Sequence, residues 1–206
     1  MQEDATLLVA WRAGDQRAGK LLFQRYYDCI SRFFRSKLER GHDDLVQEVF
    51  QACVAGSTRL RADGSFRAYL FSIAHNVLRG YFRTLHRFDE SLDIGEDMTL
   101  ADLTPGASTL QAQAEEQRQL LEALRRLPLN GQLIIELRYW ESMSTLEVAE
   151  VLGVPHSTAR SRLQRALKLL ELELARVIAS SARLRSTLDD LEGWARRLKA
   201  EASAEH

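Results

Sequence analysis

The chain has 206 residues, 45% of them hydrophobic and only three of them proline, and its net charge is −1. This composition predicts one or two largely helical domains with a buried core, and no apolar run reaches the roughly 18 residues of a membrane span. The neutral total alone argues against nucleic-acid binding, but residues 1–88 hold 14 bases against nine acids, and residues 89–115 hold seven acids and no base. The charge distribution therefore indicates basic modules joined by an acidic connector.

Two helical patterns open the chain. A short helix is predicted by three apolar residues, Leu7, Leu8 and Trp11. Gly14 interrupts it, and Asp15 is expected to be the N-cap of the second helix. The apolar stripe of that helix runs over about four turns, from Leu22 to Phe34, and stops near Gly41. We expect these two helices to pack against the elements that follow.

Two further helices are predicted before residue 89. We expect Asp43 or Asp44 to cap the third helix. Its inward residues are expected to be Leu45, Val46, Val49, Phe50 and Cys53. Residues 59–65 are expected to form a loop, and a longer fourth helix follows from Phe66 to Phe88. Its inward residues are expected to be Leu70, Ile73, Ala74, Val77 and Tyr81.

The exposed faces of these two helices carry unusual side chains. The third helix presents an outward acidic face made of Asp44, Gln47, Glu48 and Gln51. Solvation alone is the ordinary explanation of such a face. The fourth helix mixes bases with aromatic residues, a pattern that suits single-stranded nucleic acid, although most of the aromatic rings are expected in the core. Asn76 differs from them, because a mid-helix amide without a packing role can read a base edge.

The second half begins after a weakly periodic acidic linker, residues 89–115. Helices resume through Leu120 and Leu124, break at Pro128 and continue to Trp140. Leu146–Leu167 then reads as a helix-turn-helix. We expect Leu146, Ala149 and Leu152 to lie on one face of its short first helix. Gly153 is expected to adopt a positive φ, and Pro155 to set up the second helix. The second helix is expected to bury Ala159, Leu163, Ala166 and Leu170.

The outer face of that second helix points to DNA. It holds cations and small polar groups, with no acid before Glu171: His156, Ser157, Thr158, Arg160, Ser161, Arg162, Arg165 and Lys168. Arg and small hydroxyls on a helix after a tight turn suit docking in the major groove. An ordinary helix pair with a solvated basic face is the alternative, but such pairs are rarely so one-signed.

Other features bear on class and compartment. Cys29 and Cys53 have no neighbouring thiols or metal-type spacing, which predicts buried free thiols in a reducing compartment. The acidic N-terminus lacks a secretion signal, so we expect a cytoplasmic protein. No pattern of a metal site, a phosphate loop or a catalytic constellation is present, so neither an enzyme nor a cofactor is expected.

Three motifs in order then resemble one family, the extracytoplasmic-function (ECF) sigma factors of the bacterial sigma-70 family. Asp43–Phe50 resembles the helix that binds core RNA polymerase, and Phe66–Asn76 resembles the promoter-melting helix. Leu124–Pro128, Leu137–Glu141 and the helix-turn-helix resemble the domain that reads the −35 element. The similarity covers about residues 5–172. The helical patterns along the chain predict an all-α fold of two small helical domains joined by a flexible acidic linker, followed by a C-terminal helical extension.

The resemblance implies domains and partners. The domains are residues 1–88 for core polymerase and the −10 element, 89–115 as the linker, 116–175 for the −35 element and 176–206 as the extension. The implied partners are core RNA polymerase through its β′ and β subunits, and promoter DNA. The resemblance leaves open whether an anti-sigma factor also exists. The implied function is promoter recognition, DNA melting and transcription initiation at a specific regulon. The alternative is a free-standing helix-turn-helix regulator, which needs no core-binding motif.

The same resemblance assigns roles to residues. Asp44, Gln47, Glu48 and Gln51 would bind polymerase. The −10 single strand would be contacted by Arg59, Arg61, Ser65, Asn76, Arg79 and Arg83. The outer residues of the recognition helix, from His156 to Lys168, would contact the −35 element. The chain departs from the family pattern at Val54, where Trp is frequent, at Gly80, where Asp or Asn is frequent, and at Gln132, where Arg is frequent.

The last 31 residues have no counterpart in the family. Five apolar residues recur at helical spacing and predict an amphipathic helix: Leu184, Leu188, Leu191, Trp194 and Leu198. This helix is expected either to pack back on one of the two domains or to bind a partner.

Overall fold

The computed structural model describes residues 3–38, 41–56, 65–87, 115–177, 190, 191 and 193. These residues form eight α-helices and one π-helical turn. In chain order the helices are α1 (Asp4–Arg12), α2 (Gln16–Arg35), α3 (His42–Ala55), α4 (Phe66–Arg87), α5 (Glu115–Arg125), α6 (Leu129–Ile135), α7 (Thr145–Leu152) and α8 (His156–Val177). The π-helical turn Glu136–Trp140 directly follows α6. The all-α prediction is confirmed, and the chain divides into two compact units, the first built on α1–α4.

The first unit has one aromatic and aliphatic core shared by its four helices. Leu22, Ile30 and Phe34 of α2 are completely buried. Phe33 packs edge-on against Phe34 and against Phe71 of α4, with ring centroids 5.2 and 5.8 Å apart. Each such side chain contributes about 1.5–3 kcal/mol to stability when it is buried. The predicted stripe of α2 is therefore the centre of this unit.

The two predicted helix caps in this unit have different outcomes. The prediction for Asp15 is confirmed, because its Oδ1 accepts hydrogen bonds from the backbone N–H groups of Arg17 at 2.8 Å and Ala18 at 3.3 Å. The prediction for Asp43 or Asp44 is wrong. Gly41 is the N-cap of α3, with φ +76°, and both aspartates lie in the first helical turn. A left-handed φ favours glycine, and carboxylates in a first turn interact favourably with the positive end of the helix dipole.

The buried face of α4 also differs from the predicted one. Leu70 and Ala74 are buried as expected, but Ile73, Val77 and Tyr81 are only half-buried. The row that faces the core instead contains Leu70, Phe71, Ala74, Leu78 and Phe82. Apolar residues occupy two adjacent rows of this helix, and packing against Phe33 selects the row that holds Phe71.

In the second unit, α8 packs against α5 and α6. The four predicted inward residues of α8 are all buried: Ala159, Leu163, Ala166 and Leu170. The side chain of Gln132 is also buried, and its Nε2 donates hydrogen bonds to the carbonyl oxygens of Leu127 at 2.7 Å and Arg125 at 3.3 Å. Carbonyls at the end of a helix have no partner inside it, so this amide ties α6 to the end of α5.

Several predictions fall outside the described residues. These are the loop 59–64, the linker 89–114 and nearly all of the amphipathic helix expected near the C-terminus. Leu191 is described and is buried. Among the described helices, none is both long and apolar enough to cross a bilayer.

Candidate functional site

The predicted acidic face of α3 is on the surface. Asp44, Gln47, Glu48 and Gln51 are all exposed. They are held there because the opposite side of α3 is anchored in the core by four buried residues, Leu45, Val46, Val49 and Cys53. Burial raises the pKa of the Cys53 thiol to about 12. Both cysteines are free, as predicted, but only Cys53 is buried, and Cys29 is half-buried. The acidic face is therefore a rigid surface, with two carboxylates one helical turn apart.

The polar residues predicted on α4 share a second exposed face. Asn76, Arg79 and Arg83 are exposed and follow one another at spacings of three and four residues. Ser65 lies just before the helix, and its Oγ accepts a hydrogen bond from the backbone N–H of Ala68 at 3.2 Å. Its hydroxyl thus stabilises the start of α4. Arg59 and Arg61 lie outside the described residues.

A shallow groove of about 780 Å³ separates α3 from α4. Glu48 and Asn76, predicted for different partners, both line this groove, together with Ile73, Val77 and Gly80. This explains why Ile73 and Val77 are not fully buried. The acidic face of α3 and the polar face of α4 therefore meet along this groove.

Gly80 is the unusual position on this groove. A Cβ atom built on Gly80 meets no atom within 4 Å, and the carbonyl of Gly80 accepts a hydrogen bond from Oγ1 of Thr84 at 3.0 Å. The residue is helical and has open space around it, so a side chain is tolerated. Glycine inside a helix costs about 1 kcal/mol relative to alanine.

We expect Gly80→Ala to raise the free energy of unfolding by about 1 kcal/mol, because alanine removes backbone freedom from the unfolded chain without a clash in the fold. Urea unfolding of both proteins measures this as a higher midpoint at an unchanged slope. A lower midpoint would mean that the methyl group does meet an obstacle. Gly19→Ala is the matched control, since a Cβ there would lie 2.5 Å from the Trp11 ring and should destabilise the protein.

The helix-turn-helix is built by local hydrogen bonds. Ser144 and Glu147 form a reciprocal capping box at the start of α7: the Ser144 N–H donates to Glu147 Oε2 at 2.9 Å, and the Glu147 N–H donates to Ser144 Oγ at 3.2 Å. Gly153 has φ +63°, as predicted, and ends the helix. A 2.8 Å hydrogen bond joins Thr145 Oγ1 to His156 Nε2, so the first residues of α7 and α8 are fixed to each other.

The outer face of α8 is as predicted for most of its residues. Six residues are exposed: His156, Ser157, Arg160, Ser161, Arg165 and Lys168. Thr158 and Arg162 are half-buried, and the Ser161 hydroxyl donates to the carbonyl of Thr158 at 3.0 Å. Four cations lie on the outer side of α8, namely Arg160, Arg162, Arg165 and Lys168, while the small residues Ala159 and Ala166 pack on its inner side. The cations form a positively charged ridge that can enter the major groove.

Of the three residues predicted to share one face of α7, Ala149 is buried, Leu152 is half-buried and Leu146 is 58% exposed. The other buried residues of α7 are Val148 and Val151. A helix of two turns has several overlapping apolar rows, so spacing alone does not select the inner one. The capping pair of Ser144 and Glu147 was not anticipated, although the spacing of Ser and Glu three residues apart is its usual signal.

Across the described ranges, no three His, Cys, Asp or Glu side chains converge on a metal-sized site.

Comparison with known proteins adds independent findings. The family model described as Sigma-70 region 2 matches residues 22–88, and the model described as Sigma-70, region 4 matches residues 117–170. The ECF RNA polymerase sigma-E factor of Haemophilus influenzae is 27% identical over 179 residues, which are 82% of this chain and 93% of the relative. The ECF RNA polymerase sigma-E factor of Escherichia coli K12 is 27% identical over 177 residues, which are 82% and 92%.

Two solved structures share the fold. CnrH, solved in complex with the cytosolic domain of CnrY, is 26% identical with a TM-score of 0.60, over 84% of this chain and 97% of that one. The sigma factor RpoE, solved in complex with the anti-sigma factor NepR from Bartonella quintana, is 21% identical with a TM-score of 0.58, over 77% and 96%. At these identities the likeness concerns chiefly the helical architecture.

Proposed function

The chain belongs to the ECF sigma factors of the sigma-70 family. On this basis we propose which of its exposed faces binds polymerase and which bind promoter DNA. The chain is a sigma factor that binds core RNA polymerase and directs transcription from specific promoters. Sigma factors regulate transcription, and polymerase supplies the chemistry. The observation that carries this function is that one chain holds both family regions, 22–88 and 117–170, in order.

The acidic face of α3 is proposed as the surface that core polymerase binds. Asp44 and Glu48 supply charge, and Gln47 and Gln51 extend the same face with amides that donate and accept hydrogen bonds. All four side chains project from a helix anchored in the core, so binding requires little ordering of the backbone. The β′ and β subunits of polymerase are the proposed partners of the chain.

The exposed face of α4 is proposed to follow the unpaired strand of the −10 element. Arg79 and Arg83 offer cations to phosphates, and Asn76 offers an amide to a base edge. Arg59, Arg61 and Ser65 are proposed to complete this contact from the segment before α4. Holding an unstacked base offsets the free energy lost when the duplex opens.

The outer face of α8 is proposed to read the −35 element. Exposed Arg160 and Arg165 and half-buried Arg162 suit guanine edges or phosphates, while Ser157, Thr158 and Ser161 suit closer contacts. His156 is held by Thr145 and is proposed to set the depth of the helix start. Lys168, about three turns after His156, is proposed to contact phosphate. The helix-turn-helix domain, residues 116–175, would thus work separately from the module of residues 1–88.

The test is transcription of fragmented genomic DNA by purified core polymerase with and without the chain, followed by mapping of RNA 5′ ends. We expect discrete start sites that appear only with the chain and that share sequences near −10 and −35. The alternative, a free-standing helix-turn-helix regulator, predicts no new start sites with core alone. DNA binding that is equally specific in the absence of core would favour that alternative.

A further inference from the structure

The first residues of the two helices of the helix-turn-helix are joined by one side-chain hydrogen bond. Thr145 begins α7, His156 begins α8, and Thr145 Oγ1 lies 2.8 Å from Nε2 of the imidazole ring. The two residues are 11 positions apart, so the bond spans the whole of α7 and the turn. The start of the recognition helix is thereby bonded to the helix that precedes it.

The backbone on both sides of this bond is fixed. Thr145 lies in the capped first turn of α7. In the turn, the backbone N–H of Val154 donates to the carbonyl of Ala149 at 3.1 Å. The first turn of α8 is closed by the N–H of Ala159, which donates to the carbonyl of Pro155 at 3.0 Å. The imidazole ring is therefore held between two rigid helix ends and loses little side-chain entropy when DNA binds.

The hydrogen bond leaves one nitrogen of the ring for a ligand. Nε2 is occupied by Thr145, whereas Nδ1 lies across the ring and makes no hydrogen bond within the part of the chain that the structure describes. His156 is exposed, as are Ser157 and Arg160 on the face proposed to read the −35 element. The N-terminal residues of a recognition helix are those that meet base edges in the major groove. Nδ1 is therefore the ring nitrogen that DNA can reach.

The partner of Nε2 favours a proton on Nδ1. A neutral imidazole carries one ring proton, and the hydrogen bond made by one nitrogen decides which nitrogen holds it. The Thr145 hydroxyl has no second partner among the described residues, so donation to Nε2 is the arrangement that uses its proton. The ring proton is then on Nδ1. The negative potential of DNA favours the same form, because it attracts a donor and repels a lone pair.

A single outward donor has a defined preference among the bases. In the major groove both purines offer N7 as an acceptor, guanine adds O6, and thymine offers O4. Cytosine offers only its N4 amino group, which is a donor. Two donors that face each other in an interface both lose a hydrogen bond to water without replacing it, which costs binding free energy. Cytosine is therefore the base that an Nδ1 donor rejects.

We propose that Thr145 is a positioning residue of the −35 interface and that His156 is the base-reading residue that it positions. The Thr145 hydroxyl donates to Nε2, and the Nδ1–H group donates to an acceptor on one base edge, so that cytosine is disfavoured at that single position. Thr145 acts through the ring and does not touch the base. This role rests on the proposed function of α8, and it extends the DNA-reading surface to α7.

Base preference is measured with holoenzyme made from purified core polymerase and the full-length chain. The DNA is a promoter found by mapping RNA 5′ ends, with its −35 element randomised, and the bound molecules are sequenced. We expect the unmodified chain to disfavour cytosine at least fivefold at one position. Thr145→Val keeps the shape of the side chain but lacks the hydroxyl. This variant and His156→Ala should each reduce the discrimination to less than twofold, and Thr145→Ser should restore it.

Two comparisons separate base reading from stability. The double variant of Thr145→Val and His156→Ala should match His156→Ala alone, because Thr145 acts only through the ring. Ser144→Ala removes a capping hydrogen bond from the adjacent residue, so it should lower the midpoint of thermal unfolding and keep the preference. Discrimination that survives Thr145→Val, or an equal loss in Ser144→Ala, would overturn the proposal. An unmodified chain without preference at any −35 position would instead refute the proposed function of α8.

The position of the ring proton is tested without DNA. Long-range ¹⁵N–¹H NMR of the full-length chain at mildly alkaline pH separates the two neutral forms by the shifts of the ring nitrogens. The signals of His156 are those missing from His156→Ala. We expect the proton on Nδ1 in the unmodified chain and in Thr145→Ser. In Thr145→Val it should move to Nε2, because that form is the more stable one for a histidine side chain in water. A proton on Nε2 in the unmodified chain would contradict the proposal.

Discussion

Reversing Asp44 and Glu48 to lysine together is expected to abolish holoenzyme formation. Both carboxylates are exposed on the face of α3 opposite the core, so the double variant should fold. The change replaces two negative charges with two positive ones at a surface proposed to bind polymerase. Unfavourable pairs at an interface cost several kcal/mol, which lowers affinity by more than a hundredfold. Co-purification of the chain with core polymerase is the measurement.

The control for this prediction is an equal change of charge elsewhere. Asp28→Lys with Glu171→Lys alters two exposed carboxylates, one on α2 and one on α8, by the same total. This control should bind core at the level of the unmodified chain, and both double variants should retain their helicity. If the Asp44 and Glu48 variant co-purified normally, the acidic face of α3 would have no part in core binding.

The second large effect is expected on α8. Arg160→Ala and Arg162→Ala should each weaken promoter binding by about 1–3 kcal/mol and relax preference at individual −35 positions, as for side chains that read base edges. Lys168→Ala should weaken binding to all sequences alike and reduce the salt dependence by about one unit of slope, as for a phosphate contact. Footprinting and binding titrations at several salt concentrations measure both effects.

Two details sharpen this comparison. Arg162 is half-buried, so its alanine variant needs a thermal unfolding control that exposed Arg160 does not need. Arg176→Ala is the matched control on the same helix, because Arg176 lies beyond the predicted contacts and pairs with Glu173. An unchanged −35 footprint for Arg160→Ala, Arg162→Ala and Lys168→Ala would rule out the proposed docking of α8.

The sequence predicts the recognition helix well for a physical reason. Ala159 and Ala166 alternate with Leu163 and Leu170 at helical spacing, and between residues 159 and 170 no apolar residue lies on the opposite side. The outer face then follows by elimination, which is why its cations could be named in advance. The same logic applies to α3, where the buried row around Val49 leaves the acidic face exposed.

The wrong predictions concern positions where two local arrangements of the chain have similar energies. In α4, both the row of Ile73 and Val77 and the row of Phe71 are apolar, and only contact with Phe33 decides between them. At the start of α3, aspartate is a good N-cap, but the positive φ of Gly41 is available two residues before Asp43. The buried amide of Gln132 depends on where α5 ends, which spacing does not reveal.

The functional residues were located by their type and the family pattern, and the bond between Thr145 and His156 was not. The two residues are 11 positions apart, and each alone reads as an ordinary polar residue. Only the folded helix-turn-helix brings Thr145 Oγ1 to 2.8 Å from His156 Nε2. Contacts between separate helices are a property of the fold, and the chain order conceals them.

The reactivity of the buried Cys53 thiol measures how often α3 opens locally. At neutral pH this thiol, whose pKa is raised to about 12, is protonated and shielded, so an alkylating reagent reaches it only when α3 opens locally. Half-exposed Cys29 serves as the internal reference in the same molecule. A ligand that binds the acidic face only when α3 is closed suppresses the local opening of α3. The rate at which Cys53 is alkylated, divided by the rate for Cys29, therefore measures how much of the acidic face is occupied.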